Sequence, residues 1–120
     1  MSTNPDITRH LEENRLAGVV THNGLAYLAG QVADDATLDT EGQTADILHQ
    51  IDVLLADLGT DKTRILSVQI FLTDINEIGN MNKAWDVWLN KGHKPARATV
   101  EAKLADPDWR VEITAIAALR

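Results

Sequence analysis

The run Val111-Glu112-Ile113-Thr114-Ala115-Ile116-Ala117-Ala118-Leu119 places the last element of this chain in the middle of a sheet. Val111, Ile113, Ala115 and Ala117 share one face of an extended chain, and Ile116 and Ala118 join the other. A strand apolar on both faces needs neighbours and cover on both sides. Upstream, Leu66, Val68, Ile70 and Leu72 alternate with Ser67, Gln69, Phe71 and Thr73, which predicts a strand over 64–73. A further strand is expected from Ala98 to Leu104, with Pro107 as punctuation before the last one, over 109–119. Nearer the start, Ala17 to Val20 and Leu25 to Val32 flank Asn23-Gly24, a pair that tolerates the positive φ of a tight hairpin turn. Two helices fit between the strands. One begins at Thr40, with Gln43 completing a capping box; it carries Ile47, Ile51, Leu54, Leu55 and Leu58 on one face and ends at Gly59. The other spans about 75–89 with the stripe Ile78, Met81, Trp85, Trp88 and Leu89.

The order ββαβαββ predicts an α+β fold, a mixed sheet with two helices packed on one face. The chain retains nothing to cover the other face, so a partner subunit is the simplest cover and a homo-oligomer is expected. One domain is expected over 1–120, with 1–16 as a polar, partly flexible N-terminal segment. That segment has no basic start followed by an apolar run, so no signal peptide is expected and the default location is cytoplasmic.

Composition narrows the chemistry. The 120 residues include no cysteine, which excludes disulfides, thiolate metal sites and a cysteine nucleophile. His10, His22, His49 and His93 lie in four separate segments without metal-ligand spacing, so no metal site is expected. The net charge of −7 disfavours nucleic-acid backbones and anionic membranes. No apolar run approaches the roughly 20 residues needed to span a bilayer.

Five segments occur in a telling order: Leu28-Ala29-Gly30-Gln31, Phe71-Leu72-Thr73-Asp74-Ile75, Met81-Asn82, Lys94-Pro95-Ala96-Arg97-Ala98-Thr99-Val100-Glu101, and Val111-Glu112-Ile113-Thr114-Ala115-Ile116-Ala117. Together they resemble the Rid family of reactive-intermediate (enamine/imine) deaminases, of which this chain looks like a divergent member. The resemblance spans roughly residues 17–118. It implies a fold like that of the small chorismate mutases, assembled as a homotrimer with clefts between subunits. It implies hydrolysis of enamine and imine intermediates of small 2-amino acids, such as 2-aminoacrylate, to 2-keto acids and ammonia, without metal or organic cofactor. By motif match, Arg97 is the clamp for the substrate carboxylate and Glu112 the acidic residue that positions or activates water. Gly30 matches the tight backbone position beside the substrate nitrogen, and Asn82 the helix asparagine near the site. Three cleft positions depart from the family pattern: Thr99 stands where many members have cysteine, Ala29 where serine is common, and Leu16 or its neighbours where many have tyrosine.

The residues suit those roles. Arg97 presents a planar fork matched to a carboxylate. Glu112, between Val111 and Ile113, is expected to be partly desolvated, and a carboxylate near C2 of an imine can take a proton from water and return one to the leaving nitrogen. Plainer readings stand beside these. Arg97 could be salt-bridged to Glu101 or Glu112, Gly30 could relieve crowding, Asn82 could brace a helix, and Thr99 could be an ordinary strand residue. Trp85 and Trp88 read as packing residues, and Trp109, after a loop, as the rim of a cleft. Were strands 98–104 and 109–119 a simple hairpin, Glu112 would pair near Glu101 and lie about 14 Å from Arg97. The two-residue reading therefore requires a central last strand or a site shared between subunits. The alternative function is a non-catalytic module that binds a small carboxylate or keto acid in a regulatory or protective role.

Overall fold

The computed structural model describes residues 6–120. Its elements run β1 (Thr8–Glu12), β2 (Ala17–His22), β3 (Leu25–Leu28), α1 (Thr40–Asp57), β4 (Ile65–Leu72), α2 (Ile78–Trp88), β5 (Ala96–Glu101) and β6 (Val111–Ala118), with single 3-10 turns at Lys62–Arg64 and Ile75–Glu77. The six strands form one sheet in the order β1-β2-β3-β6-β4-β5. β6 lies between β3 and β4, antiparallel to both, so the doubly apolar strand is central as its pattern requires. β5 pairs only with β4, and in parallel, so it does not fold back on β6.

The sheet's two faces follow from the strand register. Val68, Ile70 and Leu72 of β4 and Val111, Ile113, Ala115 and Ala117 of β6 are buried against the helices. There they meet Ile47, Leu48, Ile51 and Leu55 of α1 and Met81 and Trp85 of α2 in one core. Tyr27, Ser67, Gln69, Phe71, Thr114 and Ile116 point the other way, where no element of this chain covers them. Both helices thus sit on one face of a mixed sheet, as expected. Among the described residues no helix is long and apolar enough to cross a membrane.

Several local expectations change. Asp39, not Thr40, caps α1: its carboxylate accepts the Gly42 N–H at 2.8 Å. Gln43 is then free to turn inward. It is fully buried and donates to the carbonyls of Ala36, Leu38 and Asp108, while its oxygen accepts the Arg110 N–H at 2.8 Å. Leu66 leaves the buried stripe because an irregularity between Ile65 and Ser67 adds one residue to β4 there. Ile65 takes the inward place and Leu66 is 49% exposed. β3 stops at Leu28, and the chain rejoins β6 only through a Gln31–Ile113 bridge. β5 starts two residues earlier than expected and ends at Glu101.

The N-terminal segment also differs from expectation, since Thr8–Glu12 is an ordered edge strand antiparallel to β2. Expected flexibility at 1–5 lies outside the described residues. The hairpin at Asn23-Gly24 is as read: φ is 52° and 79° at the two residues. Gly59, at φ 78°, follows the end of α1 in the left-handed conformation.

Candidate active site

Two groups of side chains, well apart in one subunit, account for every residue the motifs single out. The first is built on β5 and α2. Arg97 pairs with Val68 in the parallel register, so its side chain leaves the sheet on the helix side. There Arg97 Nη1 donates to Asn82 Oδ1 at 2.8 Å, and the guanidinium carbon lies 5.0 Å from the centroid of the Trp85 ring. Asn82 and Trp85 are three residues apart on α2, hence neighbours on one face of that helix. Arg97 itself stays exposed. Among the described residues it forms no ion pair with Glu101 or Glu112. Glu101 instead accepts the Ile75 N–H at 3.0 Å. Thr99, paired with Ile70, emerges on the same side as Arg97, and its hydroxyl is buried without a hydrogen-bond partner.

The second group is built on β6 and the segment after β3. Glu112 pairs with Phe71, three residues along β4 from Val68, so it leaves the sheet on the open face. Its carboxylate lies where a side chain at position 30 would be. A Cβ added to Gly30 would stand 2.0 Å from Glu112 Oε2 and 2.9 Å from its carboxyl carbon. Two backbone bonds hold this approach: Gln31 N–H to the Ile113 carbonyl at 2.8 Å and Ile113 N–H to the Gln31 carbonyl at 3.0 Å. Gln31 also donates from its side chain to the Ala29 carbonyl at 2.9 Å. Ala29, Gly30 and Leu16 share the wall of a concavity of about 320 Å³.

One subunit therefore unites Arg97, Asn82 and Thr99, and separately Gly30 and Glu112, with Ala29 and Leu16 sharing a concavity beside Gly30. It keeps Arg97 and Glu112 on opposite faces of the sheet, with β4 between their strands. The central placement of β6 does not close that gap. Trp85 was read as packing, and it is buried, yet it also carries the arginine. The signal that marks it is its spacing of three from Asn82. Among the described residues no group of three or more His, Asp or Glu side chains could hold a metal ion.

Comparison with known proteins agrees with this architecture. Residues 8–119 match the family model described as Endoribonuclease L-PSP. A RutC family protein of Haemophilus influenzae is 50% identical over 113 residues, covering 92% of this chain and 97% of the relative. A Yersinia pestis structure described as a protein of unknown function of the conserved Rid protein family aligns with a TM-score of 0.82 at 30% identity, covering 90% of each chain. The chain belongs to the Rid/YjgF family. Another member of the YjgF family, from Neisseria meningitidis, aligns with a TM-score of 0.92 at 43% identity over 96% of both chains. The α+β architecture, with two helices on a six-stranded mixed sheet, is thus the architecture of the Rid/YjgF family.

Proposed function

We propose that this protein hydrolyses imines and enamines of small 2-amino acids to 2-keto acids and ammonia, in clefts between the subunits of a homotrimer. The observation that carries the reading is the state of Arg97. It is held by a neutral amide and an aromatic ring, has no carboxylate partner among the described residues, and faces solvent. A guanidinium in that state is a receptor for a small organic anion.

In this mechanism Arg97 of one subunit grips the substrate carboxylate, and Glu112 of a neighbouring subunit faces C2 across the cleft. The enamine first takes its imine tautomer. Water then adds to C2, forming the C–O bond as the C=N π pair moves to nitrogen. Glu112 accepts a proton from that water and delivers one to the nitrogen. The resulting carbinolamine gives its hydroxyl proton to Glu112, which returns it to the amino nitrogen, and ammonia leaves as the C–N bond breaks and the C=O bond forms. Proton transfer of this kind contributes on the order of 10²–10⁴ in rate, ample for a reaction already quick in water. Gly30 admits the carboxylate to its place. The uncovered sheet face supports the assembly, because Tyr27, Phe71 and Ile116 have no cover within their own chain.

Ammonia release from freshly generated 2-iminopropanoate tests the reading, with Arg97→Ala as the control. Wild type is expected to accelerate release and the variant to lose the acceleration. Equal rates would refute the enzyme reading. Tight binding of a keto acid without turnover would select the alternative, a carboxylate-binding module. The endoribonuclease activity named in the family model is disfavoured by the net charge of −7.

A further inference from the structure

We propose that Trp85 is the positioning residue of the carboxylate clamp: together with Asn82 it holds the Arg97 guanidinium in the orientation that receives the substrate anion. The inference rests on the function proposed above and extends it to a residue that the motifs do not single out.

Arg97 is on an exposed edge strand, where a long side chain ordinarily samples many rotamers. Here two contacts of different kinds restrict it. Asn82 accepts from Nη1 and fixes one edge of the guanidinium. Trp85 lies against the same cation at 5.0 Å. Residues three apart on a helix point to neighbouring places, so the amide and the ring work as one grip. One Nη1–H is committed to Asn82, which leaves the Nε and Nη2 edge of the fork for a carboxylate.

The grip is itself anchored. Trp85 is only 5% exposed, in the core between α2 and the sheet. Its ring packs against Trp88 at 5.2 Å between centroids, tilted by 51°. Trp88 is tied to the other helix by its Nε1–H, which donates to Asp52 Oδ1 at 3.0 Å. Lys62 caps the far end, with its ammonium 5.0 Å from the Trp88 centroid and bonded to the Trp88 carbonyl at 2.7 Å. Arg97 is thus the exposed end of a line of contacts that runs back to α1. A side chain ordered before binding loses less entropy when it binds, so the benefit falls on affinity for the anion rather than on the chemical step.

The test compares dissociation constants for 2-oxobutanoate and its uncharged analogue 2-oxobutanamide in wild type, Trp85→Leu, Trp85→Phe and Arg97→Ala, together with KM and kcat. Trp85→Leu is expected to weaken the keto acid about two- to fivefold, the range of a partly exposed cation–π contact, and to leave the amide unchanged. KM should rise by a similar factor with kcat near wild type, and Trp85→Phe, which keeps a ring, should recover most of the affinity. A purely structural role would weaken acid and amide alike. If Trp85→Leu does not fold, Trp85→Met fills the core without a ring and carries the same expectation. Loss of acid preference in Arg97→Ala but not in Trp85→Leu or Trp85→Met would overturn this inference and leave the clamp standing. Retention of acid preference in Arg97→Ala would overturn both.

Discussion

Replacing Gly30 with alanine should couple to Glu112 in a way that reveals how closely the two are fitted. The added methyl would overlap Glu112 Oε2 at 2.0 Å, crowd its carboxyl carbon at 2.9 Å and touch Cγ at 3.1 Å. The backbone cannot easily withdraw, because paired Gln31–Ile113 bonds and an Ala29 N–H to Gly18 carbonyl bond of 2.9 Å hold it on both sides. The carboxylate must therefore swing away. Overpacking of this kind costs about 1–3 kcal/mol. Against it stands a gain of about 0.4–1 kcal/mol, because alanine restricts the unfolded chain and Gly30 does not have the positive φ that alanine would resist. Net destabilisation in the wild-type background should be about 0–2.6 kcal/mol. In a Glu112→Ala background the overlap disappears and the same substitution should be neutral or slightly stabilising. Urea unfolding of the four proteins measures the coupling, expected at about 1–3 kcal/mol. Turnover should fall with Gly30→Ala nearly as far as with Glu112→Gln, and the double variant should be no worse than either. Additive stability effects, with a coupling under about 0.3 kcal/mol, would refute the steric argument.

Other perturbations test other parts of the account. Gln43→Ala removes a buried amide that ties 36–38 to 108–110, and should cost about 3 kcal/mol and lower the thermal midpoint by ~10 °C in calorimetry. Asp61 is held at a pKa of about 2, below its ordinary 3.8, chiefly by the Thr63 hydroxyl and next by Arg120, with a further bond from the Thr63 backbone. A lowered carboxyl pKa stabilises the fold above the unfolded value, so the urea-midpoint gap between wild type and Asp61→Ala should be full above about pH 4 and close as pH falls to about 2. Ile116→Glu places a charge on the uncovered sheet face, and light scattering should show wild type as a trimer and the variant shifted to monomer; a monomeric wild type at micromolar concentration would defeat the proposed assembly.

Periodicity was enough to read the core and the centre of the sheet. β6 announced its place because Val111, Ile113, Ala115 and Ala117 are backed by Ile116 and Ala118, and only an interior strand supports that pattern. The stripe of α2 was legible for the same reason. β1 was not, because Thr-Arg-His-Leu-Glu has no alternation: an edge strand half open to water needs none. Leu66 misled because a one-residue bulge reverses every side chain beyond it, and no residue type marks such a bulge in advance. The cap moved from Thr40 to Asp39 because both are good caps and the demand for Gln43 inside the core settled the choice. For the candidate site, motif order singled out Arg97, Asn82, Gly30 and Glu112, but not the division of Arg97 and Glu112 between two faces. That division depends on which strands flank β4 and in what register, a long-range property that local pattern does not carry. Trp85 was legible as core and not as a neighbour of Arg97, because that contact comes from a strand that follows it in the chain.

The central claim is that Arg97 and Glu112 act together only when contributed by different subunits. Coexpressed, separately tagged chains test it, one carrying Arg97→Ala and the other Glu112→Gln. Each variant alone should be inactive. In randomly mixed trimers a cleft is intact when its arginine comes from the Glu112→Gln chain and its glutamate from the Arg97→Ala chain, so about a quarter of the clefts should function in a closed ring. Recovery of roughly a quarter of wild-type ammonia release per subunit is the predicted result. Mixed trimers as inactive as either parent would contradict the account.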